Sequence, residues 1–428
     1  MRKFGQGALC VLIATALASP AIAAPCAGAE DAPPLIQGMP LTLDMALRQV
    51  RNAAPEVQRA ALETRARQAD ADQAGRRLNP SIGLDIENFA GSGPLSGFDQ
   101  TETTLSFEQT FQLGGKRKKR EQAARAQALL GEAECQTLMR AAQLEAANLF
   151  FEIIAAQEVS ELAKQSSDLA VTLSDTVAKR VEAGAAAPPE LLRAQADAAS
   201  LKAAAMAARA DIDRKRYELS ALWGSAAPKF AELIYNAPLG GSAAPNLGSI
   251  TSHPELASAK AAEDVRRAEH IAARAAGVPD LTLSAGIRQF EETGDNGFLL
   301  GVRVPFPVFD KNRDAARASG LRAESARISA LATEARLKAR QNSAALQFNT
   351  ARERLILLEN EALPAAQAAY EASVTGYTAG RFDLTTTLNA QKDLIDAGVA
   401  VIAARRTFNN AQAELKSLIG APPFTGDF

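Results

Sequence analysis

Apolar residues recur at helical spacing along two very long stretches of this chain, residues 116–181 and 312–378. Leu144, Phe151 and Ile154 are typical of the one-sided spacing through which helices pack. At ~1.5 Å per residue, each stretch predicts a helix of roughly 95–100 Å. Shorter helices are predicted at residues 43–78, 190–222, 255–276 and 384–418. The first two of these together are nearly as long as one long helix, so we expect them to stack end to end along it.

Four segments between the helices alternate apolar and polar residues, which predicts strands with one face of each kind. Ile82, Leu84 and Ile86 are an example of the apolar positions. The segments form two predicted hairpins, at residues 80–113 and 280–306, and their length suits a tilted strand that crosses a bilayer. The charged residues of the polar face are Asp85, Glu87, Glu108, Arg288 and Arg303. Because a charged interior requires water, these residues are predicted to line a lumen.

The same order of elements occurs twice. The segment from Arg180 to Gly184 corresponds to residues 376–380, and Leu222-Trp-Gly224 corresponds to Leu418-Ile-Gly420. We therefore predict a mixed α and β chain with two structural repeats, residues 43–224 and 253–420, joined by a connector at residues 225–252.

The chain begins with two cations, an apolar run and a small-residue motif, which predicts a secretory signal peptide at residues 1–23. An N-terminal arm (24–42) and a C-terminal tail (421–428) complete the predicted organisation. The formal net charge of −2 gives no indication of nucleic-acid binding. Cys26 and Cys135 remain after processing; they form a disulfide in an oxidising compartment, or else stay as two separate thiols.

Four lipid-facing strands cannot stand alone, because the unpaired groups at the sheet edges find no water in hydrocarbon. Eight strands is about the smallest closed barrel, so several copies of the chain must complete it. The alternative is a structural periplasmic coiled-coil protein that carries two hairpins. That alternative explains the helices, but not the strand length and alternation together with the signal peptide.

The order of elements, the duplication and the two turn motifs resemble the TolC-type outer-membrane efflux channels. The motifs ENFAGSGP (87–94), TTLSFEQTFQLGGKR (103–117) and VPFPVFDKNR (304–313) are similar to the CzcC-like subgroup, which serves heavy-metal exporters. The resemblance implies a homotrimer in the outer membrane, with a 12-stranded transmembrane β-barrel and a 12-helix periplasmic α-barrel. It also implies a periplasmic adaptor and a proton-driven inner-membrane pump as partners. The alternative cargo within this class is drugs or solvents.

The family resemblance also implies where the adaptor and the gate lie. The turns that would meet the adaptor contain Arg180, Gly184, Tyr377 and Gly380. The periplasmic aperture would include Glu190, Asp383, Thr386 and Asn389, and Thr386 and Asn389 stand where some members have aspartates.

A basic run at the predicted membrane edge comprises Lys116, Arg117, Lys118 and Lys119. These cations oppose the dipole of the helix they begin, so we expect compensation by anionic lipid head groups; the alternative is a solvated charge run. No catalytic or cofactor-binding constellation is evident. His253 and His270 lack neighbours at metal-ligand spacing, so no metal site is predicted.

Overall fold

The helices and hairpins form a duplicated architecture in a computed structural model that describes residue 26, residues 37–235 and residues 249–419. The predicted signal peptide and C-terminal tail lie outside the described residues. The main elements are β1 (Met39–Thr42), α1 (Leu43–Ala53), α2 (Pro55–Ala74), β2 (Ser81–Glu87), β3 (Glu102–Phe111), α3 (Lys116–Glu182), α4 (Pro188–Ala221), β4 (Phe230–Ile234), α5 (Pro254–Ala276), β5 (Leu281–Phe290), β6 (Asn296–Arg303), α6 (Arg313–Leu357), a π-helix (Leu358–Ala362), α7 (Leu363–Thr378) and α8 (Leu384–Leu418). The mixed, internally duplicated fold predicted from the sequence is confirmed.

The helix α3 runs for 67 residues without interruption, which corresponds to about 100 Å. The predicted continuous helix at 43–78 is wrong in two respects. It breaks at Ala54, whose ψ of 122° is extended, because the ring of Pro55 disfavours helical backbone in the residue before it. It also ends at Ala74, with Gly75 as its C-cap. None of the described helices combines the length and apolar composition needed to cross a bilayer.

The second long helical stretch contains a π-helix at Leu358–Ala362, where the sequence predicts regular helix. Pro364 lies two residues after the end of this turn. A proline inside a helix lacks an N–H and its ring clashes with the carbonyl four residues earlier. The wider π turn accommodates that local conflict, so that α6 and α7 continue as one rod.

The shorter helices stack end to end along the long ones. α1, α2 and α4 pack against α3, while α5 and α8 lie between α3 and the α6–α7 rod. At the joint between α4 and α2, Gly224 approaches Pro55 so closely that an added Cβ would lie 3.1 Å from Pro55 Cγ. At the joint between α8 and α5, Arg140 Nη1 donates to Ser417 O at 2.7 Å. His253 caps α5 at this second joint by accepting from Glu255 N at 3.2 Å.

The two hairpins form one four-stranded antiparallel sheet in the order β2-β3-β5-β6. The register places Leu84 opposite Leu105, Leu105 opposite Ile287, and Ile287 opposite Phe298. The apolar positions therefore share one face across all four strands, and they are largely exposed in the single chain. β2 and β6 are the outer strands of this sheet, so each has an unpaired edge.

A short parallel sheet, which the sequence analysis missed, joins the N-terminal arm to the connector between the repeats. β1 pairs with β4, with Leu41 opposite Leu233. Beside this sheet Cys26 and Cys135 form a disulfide with their Cα atoms 5.8 Å apart. Both cysteines belong to an apolar core that includes Phe150. The arm is thus attached to the middle of α3 by backbone pairing and by a covalent bond.

Candidate functional site: sheet face, membrane edge and periplasmic tip

The polar face of the sheet carries a charged cluster around Arg288. Its guanidinium donates to Glu102 Oε2 at 2.6 Å, to Glu87 Oε2 at 3.0 Å and to Thr104 Oγ1 at 2.9 Å. These partners lie on β2 and β3, so one side chain links both hairpins near their loops. Glu102 was missed in the sequence analysis, although it lies two residues before Thr104 and therefore on the same face.

The remaining predicted lumen residues lie on this polar face. Asp85 is opposite Thr104, and Thr104 is also opposite Arg288. Glu108 is opposite Ser284, and Arg303 is opposite Thr282. With Glu102 included, the face contains more carboxylates than guanidinium groups, so its charge favours cations.

The basic run at the start of α3 has partners within the chain. Lys116 Nζ forms an ion pair with Asp280 Oδ1 at 2.8 Å, and Lys119 Nζ donates to Gly114 O at 3.0 Å. Arg117 Nη1 donates to Gly75 O at 3.0 Å. Arg120 Nε donates to Ala74 O at 2.9 Å.

These contacts explain how a cationic helix start is stabilised. Ala74 and Gly75 end α2, and the C-terminus of a helix carries a partial negative charge that attracts cations. Lys116, Arg117 and Lys119 therefore have partners within the protein, so the stability of this helix start does not depend on lipid head groups alone. Lys118 is exposed on the same turn.

The two turns at the ends of the helical rods farthest from the four-stranded sheet have the same construction. Gly184 and Gly380 follow their helices with φ values of +68° and +72°, a backbone conformation that favours glycine. Gly184 N donates to Val181 O, and Gly380 N donates to Tyr377 O, both at 3.0 Å. These bonds satisfy carbonyls that the helix ends would leave unpaired.

The buried Tyr377 side chain connects the two turns by contacts with residues of the opposite turn. Its ring is 1% exposed, and the Arg180 guanidinium lies 4.4 Å from the ring centroid. Its hydroxyl donates to Glu190 Oε2 at 3.2 Å. Burial, with the nearby Glu190 carboxylate, raises the pKa of Tyr377 above its usual value, so it remains a hydrogen-bond donor. The assignment of Tyr377 to the adaptor-contact surface is corrected: its side chain is covered and supports the exposed residues around it.

The predicted aperture residues lie at the starts of α4 and α8. Asp383 caps α8 by accepting from Thr386 N at 2.7 Å, and its bonds to Thr386 hold the pKa of the carboxyl below its usual range. Asn389 is exposed one turn further along α8. Glu190 accepts from the Tyr377 hydroxyl and also from Ala187 N at 3.3 Å. The structure therefore places Glu190 and Asp383 in two separate local networks.

Neither histidine resembles a metal ligand. His253 is buried at the joint between α8 and α5, and His270 Nδ1 lies 2.9 Å from Ala316 O and 3.1 Å from Ser319 Oγ. Among residues 37–235 and 249–419, no cluster of three or more His, Cys, Asp or Glu side chains could hold a metal ion.

An apolar sheet face that continues into a helical rod of about 100 Å defines a protomer of an outer-membrane channel with a periplasmic extension. Comparison with known proteins agrees with this class. The family model described as "Outer membrane efflux protein" matches residues 46–225 and 249–421, so the chain belongs to that family. It is a channel component of the outer membrane and not an enzyme.

Individual relatives cover most of the chain. The cobalt-zinc-cadmium resistance protein CzcC of Cupriavidus metallidurans is 28% identical over 384 residues, which is 89% of this chain and 90% of CzcC. The nickel and cobalt resistance protein CnrC of the same organism is 31% identical over 327 residues, covering 72% of this chain and 71% of CnrC. The solved outer-membrane channel OprN has the same fold, with a TM-score of 0.75 at 19% identity, covering 89% of this chain and 90% of OprN.

Proposed function

We propose that the protein is the outer-membrane duct of a tripartite resistance–nodulation–division efflux system and that it conducts heavy-metal cations passively. The observation that carries the proposal is the four-stranded sheet, with one apolar face and two unpaired edges, continuous with helices of about 100 Å. Three copies would supply twelve strands for a closed barrel and would continue it as a helical tube.

The cargo is inferred from two independent observations. CzcC and CnrC are named for resistance to cobalt, zinc and cadmium and to nickel and cobalt. The polar face of the sheet carries an excess of carboxylates, of which Asp85 and Glu108 are not among the hydrogen-bond partners of Arg288. A negative lumen raises the local concentration of cations without the tight binding that would stop release.

The partners follow from the same arrangement. Arg180, Gly184 and Gly380 belong to the turns at the end of the proposed tube, where a periplasmic adaptor would dock. Glu190, Asp383, Thr386 and Asn389 would line the aperture nearby. A proton-driven pump in the inner membrane would deliver the cargo through that adaptor. At the other end, Lys118 is the exposed cation that would contact lipid head groups.

Deletion of the gene tests the proposal. We expect the deletion strain to lose resistance to Co²⁺, Zn²⁺ or Cd²⁺ and to regain it when this chain is supplied again, with unchanged sensitivity to hydrophobic drugs as the control. Loss of drug resistance with unchanged metal resistance would contradict the proposed cargo, and fractionation as a soluble periplasmic monomer would contradict the duct itself.

A further inference from the structure

The motif VPFPVF at residues 304–309, directly after β6, has no evident role within a single chain. Phe306 is 89% exposed and Phe309 is fully exposed, although both are large and apolar. Val304 and Val308 are exposed as well. Four exposed apolar side chains in six residues require a partner, because isolated ones are common but contiguous ones mark an interaction site.

The internal duplication shows what this segment corresponds to. α3 and α6 each follow a residue with left-handed backbone, Gly115 and Asn312, which are 197 positions apart. Counting back by the same offset, residues 304–308 correspond to residues 107–111. Those residues are the second half of β3, and they pair with β5 from Phe107↔Ala285 to Phe111↔Leu281. Residues 304–308 thus occupy the place of a paired strand segment, but on the unpaired edge.

The duplication also identifies the missing strand. β5 corresponds to β2, because Asn79-Pro80 and Val278-Pro279 are 199 positions apart. In β3 and β5, Gln109 lies opposite Leu283. The offset of 197 takes Gln109 to Phe306, and the offset of 199 takes Leu283 back to Leu84, so Phe306 would lie opposite Leu84. In the same way, Val304 would lie opposite Ile86 and Val308 opposite Ile82.

We propose that residues 304–308 extend β6 in the assembled barrel and pair with residues 82–86 of the next copy, forming the seam between subunits. This inference rests on the proposed trimer. Every residue pair it creates on the lipid-facing side is apolar, as contact with lipid requires, and Leu84 is 63% exposed in the single chain. The pairing satisfies the free edge groups of both strands and brings these apolar side chains into cross-strand contact.

The two prolines of the motif are compatible with this pairing. Alternate residues of a strand direct their N–H groups to opposite edges, so Pro305 and Pro307 remove donors from one edge only. The N–H groups of Val304 and Phe306 remain available on the opposite edge, which must be the edge that forms the seam. In the single chain Val308 N donates to Phe306 O at 2.9 Å, so pairing at Val308 requires this small turn to open.

Cysteine cross-linking in outer-membrane preparations tests the seam. The double variant F306C/L84C would be oxidised with copper phenanthroline and separated without reductant. Directly opposite residues have Cβ atoms about 4.5–5.5 Å apart, which suits a disulfide, so we expect covalent dimers and trimers. Each single variant controls for random collisions between chains.

A second pair distinguishes the seam from its main alternative. If only β6 itself, residues 296–303, paired with β2, Leu300 would lie opposite Leu84. Phe306 and Leu300 are six positions apart, or about 20 Å along a strand, so the two registers cannot be confused. The matched control is therefore L300C/L84C.

The outcomes separate the two proposals. Cross-linking of F306C/L84C but not of L300C/L84C supports the extended seam. Cross-linking of L300C/L84C alone, or of neither pair in a protein that glutaraldehyde shows to be trimeric, overturns the seam and leaves the trimer intact. A protein that stays monomeric under glutaraldehyde overturns the proposed trimer, and the seam with it.

Discussion

Removal of the Cys26–Cys135 disulfide should lower the stability of the protein, because it releases the N-terminal arm from α3. The bond joins residues separated by 109 positions. The chain-entropy relation for a loop of this length gives about 4.8 kcal/mol at 25 °C as an upper value, and measured effects are typically about 2–4 kcal/mol. With an unfolding entropy of about 2.1 cal/mol/K per residue, the expected decrease in Tm is about 2–5 °C.

The assay is thermal unfolding of the detergent-purified protein carrying Cys26→Ala, Cys135→Ala or both. Alanine suits these positions because both cysteines are buried. If the bond itself is what stabilises, each single variant should match the double variant, and reductant should lower the Tm of the wild type alone. Equal Tm values for the wild type and all three variants, or two free thiols by mass spectrometry in the non-reduced protein, would refute the reasoning.

Three further predictions concern the joint and the tip. Burial, followed by the charge of Arg140, lowers the pKa of His253. The contribution of neutral His253 to stability is therefore complete above pH ~6.5 and is lost as pH falls through the folded-state pKa. The variant His253→Asn keeps an N-cap, and the Tm of this variant should fall less between pH 7.5 and 5 than that of the wild type. Tyr377→Phe removes one bond to the Glu190 carboxylate, about 1.5–3 kcal/mol for a charged acceptor, and should raise single-channel conductance. Gly184→Pro is incompatible with a φ of +68° and should abolish metal resistance without loss of trimers.

Controls for these predictions are available in the same chain. For His253→Asn, an unchanged pH dependence of Tm would show that another group titrates. For Tyr377→Phe, conductance equal to that of the wild type would mean that the bond does not restrain the tip. For Gly184→Pro, the matched control is Gly38→Pro, which changes another glycine of positive φ far from the tip; unchanged resistance in Gly184→Pro would show that the turn is not a docking surface.

The sequence predicted the long helices well because helical spacing without breakers is a strong local signal. It predicted regular helix through Pro364 and Pro55 incorrectly, although proline marks both irregularities. What could not be predicted is the pairing of β1 with β4: Leu41 and Leu233 are far apart in sequence, and strands of four and five residues show no readable alternation.

The site was predicted less completely than the fold because side-chain partners depend on tertiary contacts. The face to which Arg288 belongs follows from alternation, but its bond to Glu102 depends on the β3–β5 register. The ion pair of Lys116 with Asp280 likewise joins the two repeats. Tyr377 belongs to a recognisable turn motif, yet only the packed tip shows that its ring is covered.

The π-helix at Leu358–Ala362 gives the two long rods different tolerance to changes in chain length. A π turn holds one residue more than an α turn, so loss of one residue there converts it into an α turn. The side chains of α6 and α7 on either side then keep their original faces. In the uninterrupted α3, loss of one residue would rotate everything beyond it by about 100° and carry Leu173 and Val177 out of the tip core. Single-residue gaps among related sequences should therefore collect at the second rod, near residues 358–362, and be rare in the first.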